Sequence, residues 1–195
     1  MHDDELLNLL TLRVRTAGAE RPCATMSEIA DFERAVSLAL PTFYKRLLTE
    51  VGNGGFGPAY GLLGIPPNGY SDEDVGQDLR DAYLEGRACP ETAWRTPRGL
   101  IPLCNWGCGV WSYIDCLSDR GAVVTDDLFE DRLEYTETSD ALADWMAAWV
   151  RGEDLDAAMH RVIGQREGIN PFTKQPITMP VRERIGKRLD LDGRM

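Results

Sequence analysis

The segment Leu40–Ile65, LPTFYKRLLTEVGNGGFGPAYGLLGI, constrains the fold more than any other part of the chain. Pro41 suits the first turn of a helix, where its missing N–H has no intrahelical partner to lose. Phe43, Tyr44, Leu47, Leu48 and Val51 recur at spacings of three and four, which defines one apolar helical face. Gly52 and Asn53 are expected to stop that helix, since both tolerate the left-handed backbone of a helix C-terminus. Gly54 and Gly55 then turn the chain. Phe56–Ile65 reads as short extended pieces broken by Gly57, Pro58, Gly61 and Gly64. This is a structural junction and not a catalytic arrangement.

The flanking sequence supplies what packs on it. Asp3–Thr16 predicts a helix, with acids at its positive end, Arg13 and Arg15 at the other, Gly18 to close it, and a Leu6, Leu10, Val14 stripe. Thr25 and Glu28 fit a capping box, and the helix it opens buries Ile29, Phe32, Val36 and Leu40. Ser71 or Asp72 is placed as the cap of a further helix reaching about Glu85, with Val75, Leu79 and Tyr83 inward. Gly86–Arg98 reads as irregular. Strand-like runs follow at Leu100–Cys104, Val110–Cys116, Ala122–Thr125 and Leu128–Tyr135, and their close spacing favours antiparallel pairing. Ser139 is the expected cap of a last helix bearing Leu142, Trp145, Met146 and Trp149. Helices, then consecutive strands, then a helix predict an α+β fold with helices around a largely antiparallel sheet. After Gly164 the periodicity is lost. Residues 165–195 read as an extended basic arm behind a domain of residues 1–164, with a short helix conceivable over Val181–Leu189.

Taken together, Ile29–Phe32–Glu33, Leu40–Pro41–Thr42–Phe43–Tyr44, Asn53–Gly54–Gly55 and Gly61–Leu62 resemble the motifs of the SUKH superfamily. Leu100–Ile101–Pro102–Leu103, Trp111–Ser112–Tyr113–Ile114–Asp115, Gly121–Ala122–Val123–Val124 and Ser139–Met146 resemble its later strands and closing helix. The resemblance covers about Thr25 to Arg151. That superfamily contains fungal cell-wall-synthesis regulators and bacterial toxin-immunity proteins. The resemblance implies the same α+β architecture and a protein-binding role.

Charge narrows the partners. The net charge is −11; residues 165–195 carry seven Lys/Arg against four acids, a net +3, which leaves −14 on residues 1–164. Such a body is repelled by nucleic acid phosphates and anionic lipid, and attracts cationic proteins. No apolar run is long enough to cross a bilayer, and the acidic N-terminus lacks the pattern of a secretory signal, so cytoplasmic residence is expected.

Catalytic readings are weak. Cys104–Gly109 is the segment most like a nucleophile loop, but neither His2 nor His160 is placed beside it by any motif, and it reads as a sheet turn. Cys104 and Cys108 form no four-ligand zinc set with any other close pair, and the five cysteines are expected to act as small hydrophobes. The glycines at 52–57 follow a helix and precede no Lys, the opposite of a phosphate loop. No cofactor, metal or reaction is therefore expected. A hydrolase using Cys104, Cys108 or paired carboxylates stays as the enzymatic alternative.

Two acidic clusters remain: one holds Asp72, Glu73, Asp74, Asp78 and Asp81, the other Asp126, Asp127, Glu130, Asp131 and Glu134. Each is either a solvated face or ground for a basic partner. Trp94 and Trp106 lie in predicted loops and join them as candidate interface anchors. The expected function is a non-catalytic binding module: an immunity protein capping a cationic toxin domain, or an intracellular regulatory scaffold. The arm is expected to fold back on the acidic body or to pair with a second copy in a dimer.

Overall fold

The computed structural model describes residues 1–71, 78–91, 94–129, 132–170 and 173–195. Helix α1 spans Asp3–Thr16, with Leu6, Leu7, Leu10 and Val14 buried. Helix α2 spans Met26–Val36 behind a complete capping box: the Thr25 hydroxyl accepts from Glu28 N–H, and the Glu28 carboxylate accepts from Thr25 N–H. Ser37 ends it in the left-handed region, so Leu40 is buried beyond the helix. Pro41 caps α3 (Thr42–Arg46), which widens into a π-helical turn over Leu47–Val51. The turn keeps Leu47, Leu48 and Val51 on the buried side.

The helix end differs from expectation. Gly52 is extended (φ 163°, ψ 154°), and the left-handed residues are the next pair, Gly54 (φ 81°) and Gly55 (φ 78°). Asn53 is buried and anchors the turn. Its Nδ2 donates to the Ile65 carbonyl at 2.9 Å, and its Oδ1 accepts from Ile65 N–H at 2.8 Å. The return segment forms no regular strand. It borders the sheet through Leu63 N–H to the Leu103 carbonyl (2.7 Å) and Tyr60 N–H to the Asn105 carbonyl (3.3 Å).

Helix α4 spans Leu79–Ala88. Asp78 caps it, not Ser71, by accepting from Asp81 N–H at 3.0 Å. Leu79 and Tyr83 face inward as predicted; Val75 and Asp72 lie outside the described residues. Strands β1 (Leu100–Gly107), β2 (Val110–Asp115), β3 (Ala122–Phe129) and β4 (Arg132–Ser139) form a consecutive antiparallel meander. The break expected before Leu128 is absent, because β3 runs through Asp126 and Asp127. Ser139 ends β4 and donates to the Ala141 carbonyl; Ala141 is the cap residue of α5 (Leu142–Val150), without a side-chain bond.

One sheet face carries Ile101, Leu103, Ile114 and Val123 against α1, α2, α3 and α5 in a single apolar core. The other face carries Leu100, Tyr113, Val124 and Tyr135. The C-terminal residues cover that second face. After α6 (Leu155–Ala158), β5 (His160–Ile169) and β6 (Pro176–Arg184) pair as a two-stranded sheet. Val181–Leu189 is accordingly not helical. Instead β7 (Lys187–Arg188) adds to β4 as the fifth strand, and Leu191 is buried beneath the sheet. The fold is α+β around an antiparallel sheet in the order β1-β2-β3-β4-β7.

Candidate protein-binding surface

The second acidic cluster is largely consumed by the chain itself. Asp126 is 1% exposed, on the tail-covered face of the sheet. Its Oδ1 accepts from Trp111 N–H at 2.6 Å and its Oδ2 from the Tyr113 hydroxyl at 2.8 Å. Tyr113 packs edge to face on Tyr135, ring centroids 5.9 Å apart. Asp127 receives a bidentate Arg184, with both N–O distances 2.7 Å, and Arg184 also donates to the Asp126 carbonyl. Arg188 pairs with Glu134 on β4. Thus basic residues after Gly164 pair with Asp127 and Glu134, while a backbone N–H and a phenol satisfy Asp126. Glu130 and Asp131 lie outside the described residues.

Burial dominates Asp126 and pushes its pKa from 3.8 up to about 7, against the lowering effect of the two hydrogen bonds and of Arg184. The folded state therefore holds this proton more tightly than the unfolded chain. That contribution to stability is complete below about pH 4 and is lost as the pH rises to about 7. The expected slope is up to about 1.4 kcal/mol per pH unit inside that window. Urea unfolding from pH 4 to 8 should show Asp126→Asn removing this slope; an unchanged slope would assign it to other groups.

The first cluster lies elsewhere. Asp78 caps α4 and sits 3.7 Å from Arg80, while Asp72, Glu73 and Asp74 lie outside the described residues. Helix α4 packs on β1, the outer strand, whereas Asp127 stands on β3. Trp94 follows α4 and is 40% exposed; its loop is held by Arg95, which donates to the Cys89 and Pro90 carbonyls. Leu84, 41% exposed, stands on α4 off the buried Leu79 and Tyr83 stripe. Asp81 and Leu84 are three apart and share one helical face with Glu85. Leu84 escaped notice because sequence reading sought the inward stripe; a leucine one position off that stripe was the available signal.

Trp106 is no outward anchor. It packs edge to face on Trp145 (6.5 Å) and donates from Nε1 to Ser112 Oγ at 2.9 Å. The Ser112 hydroxyl continues to Thr125 at 2.9 Å, a buried polar pair inside the sheet. Trp149 is half-buried beneath the Arg13 guanidinium, 4.3 Å from the ring. The turn expected over Cys104–Gly109 is shorter: Cys104–Gly107 continue β1, paired with β2, and only Cys108 and Gly109 connect the strands, with Gly107, Cys108 and Gly109 all at positive φ. Cys104 is fully buried, and burial raises its pKa far above the ordinary thiol range, the reverse of what a nucleophile needs. The hydrophobe role fits Cys104 but not Cys23 and Cys108, which are exposed.

Among the described residues, no group of three or more His, Cys, Asp or Glu side chains is arranged to hold a metal ion, and no helix is long and apolar enough to cross a membrane. No curated protein matches the chain significantly. A family model described as SMI1-KNR4 cell-wall, SUKH_6, matches residues 26–145. That span runs from the first residue of α2, through the asparagine–glycine turn and the meander, to Trp145 of α5. Family membership is consistent with a non-catalytic protein, and SUKH domains are generally immunity-type proteins. A match over more than half of the chain, on the elements that build its sheet and helical layer, places this protein in the SUKH family.

Proposed function

We propose that this protein is a cytoplasmic immunity protein that binds and blocks a cognate toxin domain and performs no reaction of its own. The observation that carries this reading is the family match over residues 26–145. The outer face of α4 supports it as the contact surface. Leu84 and Trp94 supply exposed apolar anchors, and Asp78 and Asp81, which share Arg80 at 3.7 and 3.0 Å, give their rim its charge. Exposed aromatic anchors dominate binding energy, while rim charges mainly speed association.

The test is co-purification with the toxin domain encoded beside it, and rescue of cells expressing that toxin. Trp94→Ala is expected to weaken binding by about 2 kcal/mol, roughly thirtyfold. Raised salt is expected to slow association with little change in dissociation. Asp127→Asn should leave affinity unchanged, since that carboxylate already holds Arg184. Failure of both co-purification and rescue would overturn the reading and favour a regulatory scaffold, the role suggested by the cell-wall description of the family.

A further inference from the structure

Helix α1 keeps two leucines off its buried stripe. Leu6, Leu7, Leu10 and Val14 are buried, but Leu9 and Leu12 are 38% and 62% exposed. Those two line a shallow groove of about 400 Å³ between α1 and the end of α5, whose other walls are Arg13, Thr16, Ala17 and Val150. The volume is that of an ordinary ligand cleft. Leucines exposed singly are common on protein surfaces. Two of them on one concave wall, with Ala17 and Val150, form an apolar strip instead.

Arg13 gives the strip its sign. Its Nη1 donates to the Val150 carbonyl at 2.9 Å, and the guanidinium carbon lies 4.3 Å from the centre of the Trp149 ring. The charge is thereby fixed at the lip of the groove, and among the described residues no carboxylate pairs with it. Capping the α5 carbonyl uses one of five N–H donors, so most of the fork stays available. Arg15 and Arg151 stand beside it, engaged only by exposed neighbours, Glu20 at 3.4 Å and Glu153 at 2.7 Å. Exposed pairs of that kind are weak and exchange readily. Three arginines against two glutamates make this lip positive, in a chain whose net charge is −11. Glu5, one turn before Leu9, makes the opposite end negative. An occupant therefore needs an apolar stripe along its length and carboxylates toward the Arg13 end.

A helix meets both needs. From Leu9 to Ala17 the groove runs about 12 Å, roughly two helical turns. Leucines at i, i+3 and i+4 of a third helix can seat along it. Acids in the first turn of that helix are favoured by its own dipole, and one of them can take the Arg13 fork with two parallel bonds. A bilayer is a poorer match, because it is flat and, where anionic, is repelled by the acidic body.

We infer that the α1–α5 groove docks an acidic amphipathic helix from a partner protein, with Leu9 and Leu12 taking its apolar face and Arg13 taking a carboxylate of its first turn. The α4 surface presents the opposite charge, so this is a second site with a different class of partner.

Titration calorimetry of the full chain with two synthetic helical peptides tests this. Both carry leucines at i, i+3, i+4 and i+7; one has Glu in its first turn and flanks, the other Lys. The Glu peptide is expected to bind at least about tenfold tighter than the Lys peptide. Leu12→Gln, at an exposed position that does not endanger folding, should weaken it about tenfold. Arg13→Gln should do the same without weakening the Lys peptide. Because Arg13→Gln also removes the Val150 bond and the Trp149 contact, Arg15→Glu with Arg151→Glu supplies a second measurement. Both side chains are exposed, and the pair of changes should reverse the preference between the peptides. Equal affinity for the two peptides overturns the inference. So does a Glu peptide that fails to bind at millimolar concentration, or one indifferent to Leu12→Gln. Phosphatidylserine vesicles that bind the chain through Leu12, when neither peptide does, would make the groove a membrane contact and overturn it too. None of these results involves α4, so this inference and toxin binding fail separately.

Discussion

Replacing Arg194 by Met, at the second residue from the C-terminus, is expected to lower the unfolding free energy by about 3 kcal/mol. Terminal residues ordinarily tolerate substitution, but this one is built into the sheet. Its guanidinium makes two bonds to the Asp115 carboxylate, at 2.7 and 2.9 Å, and a third to the Arg98 carbonyl at 2.9 Å. Its own backbone carbonyl accepts from Arg98 N–H at 2.7 Å. The Asp115 side chain is 11% exposed, so removing the guanidinium leaves a nearly buried carboxylate without its counter-charge. That loss, and not the worth of the pair, sets the magnitude. Arg120, 58% exposed against Asp140 and Asp144, is the internal contrast: Arg120→Met should cost under about 1 kcal/mol. Adding Asp115→Asn to Arg194→Met should recover part of the loss, because the stranded charge goes with it. Guanidinium unfolding of the three variants decides. Equal losses at Arg194 and Arg120 would mean that the tail merely rests on the sheet. Truncation after Gly186 should cost more than Arg194→Met, since it also removes Leu189 and Leu191 from the face holding Tyr113 and Tyr135.

Local rules read this fold well wherever the controlling partner is near in sequence. The bounds of α1 follow from its acids, its arginines and its leucine stripe, and the α2 capping box is closed by residues three apart. The Asn53–Gly54–Gly55 turn and the four-strand meander were legible for the same reason. Reading failed where the partner is distant. Asp126 and Asp127 look like turn residues, yet they continue β3, because Tyr113 and Trp111 satisfy one carboxylate and Arg184, 57 residues on from Asp127, satisfies the other. The apparent binding surface was therefore an internal contact whose cation lay outside the window of any local pattern. Prolines hid the hairpin similarly. Pro176 and Pro180 lie in β6, which a two-stranded sheet tolerates because each strand keeps one unpaired edge. Trp94 could be read from sequence only as a loop tryptophan, exposed or buried; the structure leaves it 40% exposed. Leu84 was not legible, because exposure on α4 depends on where β1 sits.

Gly54→Ala is expected to destabilise the protein by about 3 kcal/mol or more, and Gly109→Ala by only about 1. Both glycines have positive φ, 81° and 80°, so the backbone strain of adding a Cβ is the same at each. The surroundings differ. A Cβ on Gly109 meets nothing within 4 Å, whereas one on Gly54 would lie 2.6 Å from both Gly64 N and the Leu62 carbonyl oxygen. Those are backbone atoms and cannot rotate away. The close approach is imposed from both sides: Asn53 clamps Ile65 through two side-chain bonds, and Gly55 N–H donates to the Leu62 carbonyl at 2.8 Å. Tyr70 N–H donates to the Asn53 carbonyl, and Gly64 N–H to that of Tyr70, so the returning chain is held against the turn along its length. Asn53→Ala should accordingly cost about 2–4 kcal/mol, because it strands a buried N–H and a buried carbonyl on Ile65. Denaturant unfolding of Gly54→Ala and Gly109→Ala side by side separates packing from strain: equal losses would mean that the loop moves aside. A larger loss at Gly54 would mean that the α3 helix and the segment bordering β1 are locked together at one point of contact. Because that lock fixes where the helical layer meets the outer strand of the sheet, and α4 packs on the same strand, the loss at Gly54 should come with altered exposure of Trp94, readable as a shift in its fluorescence.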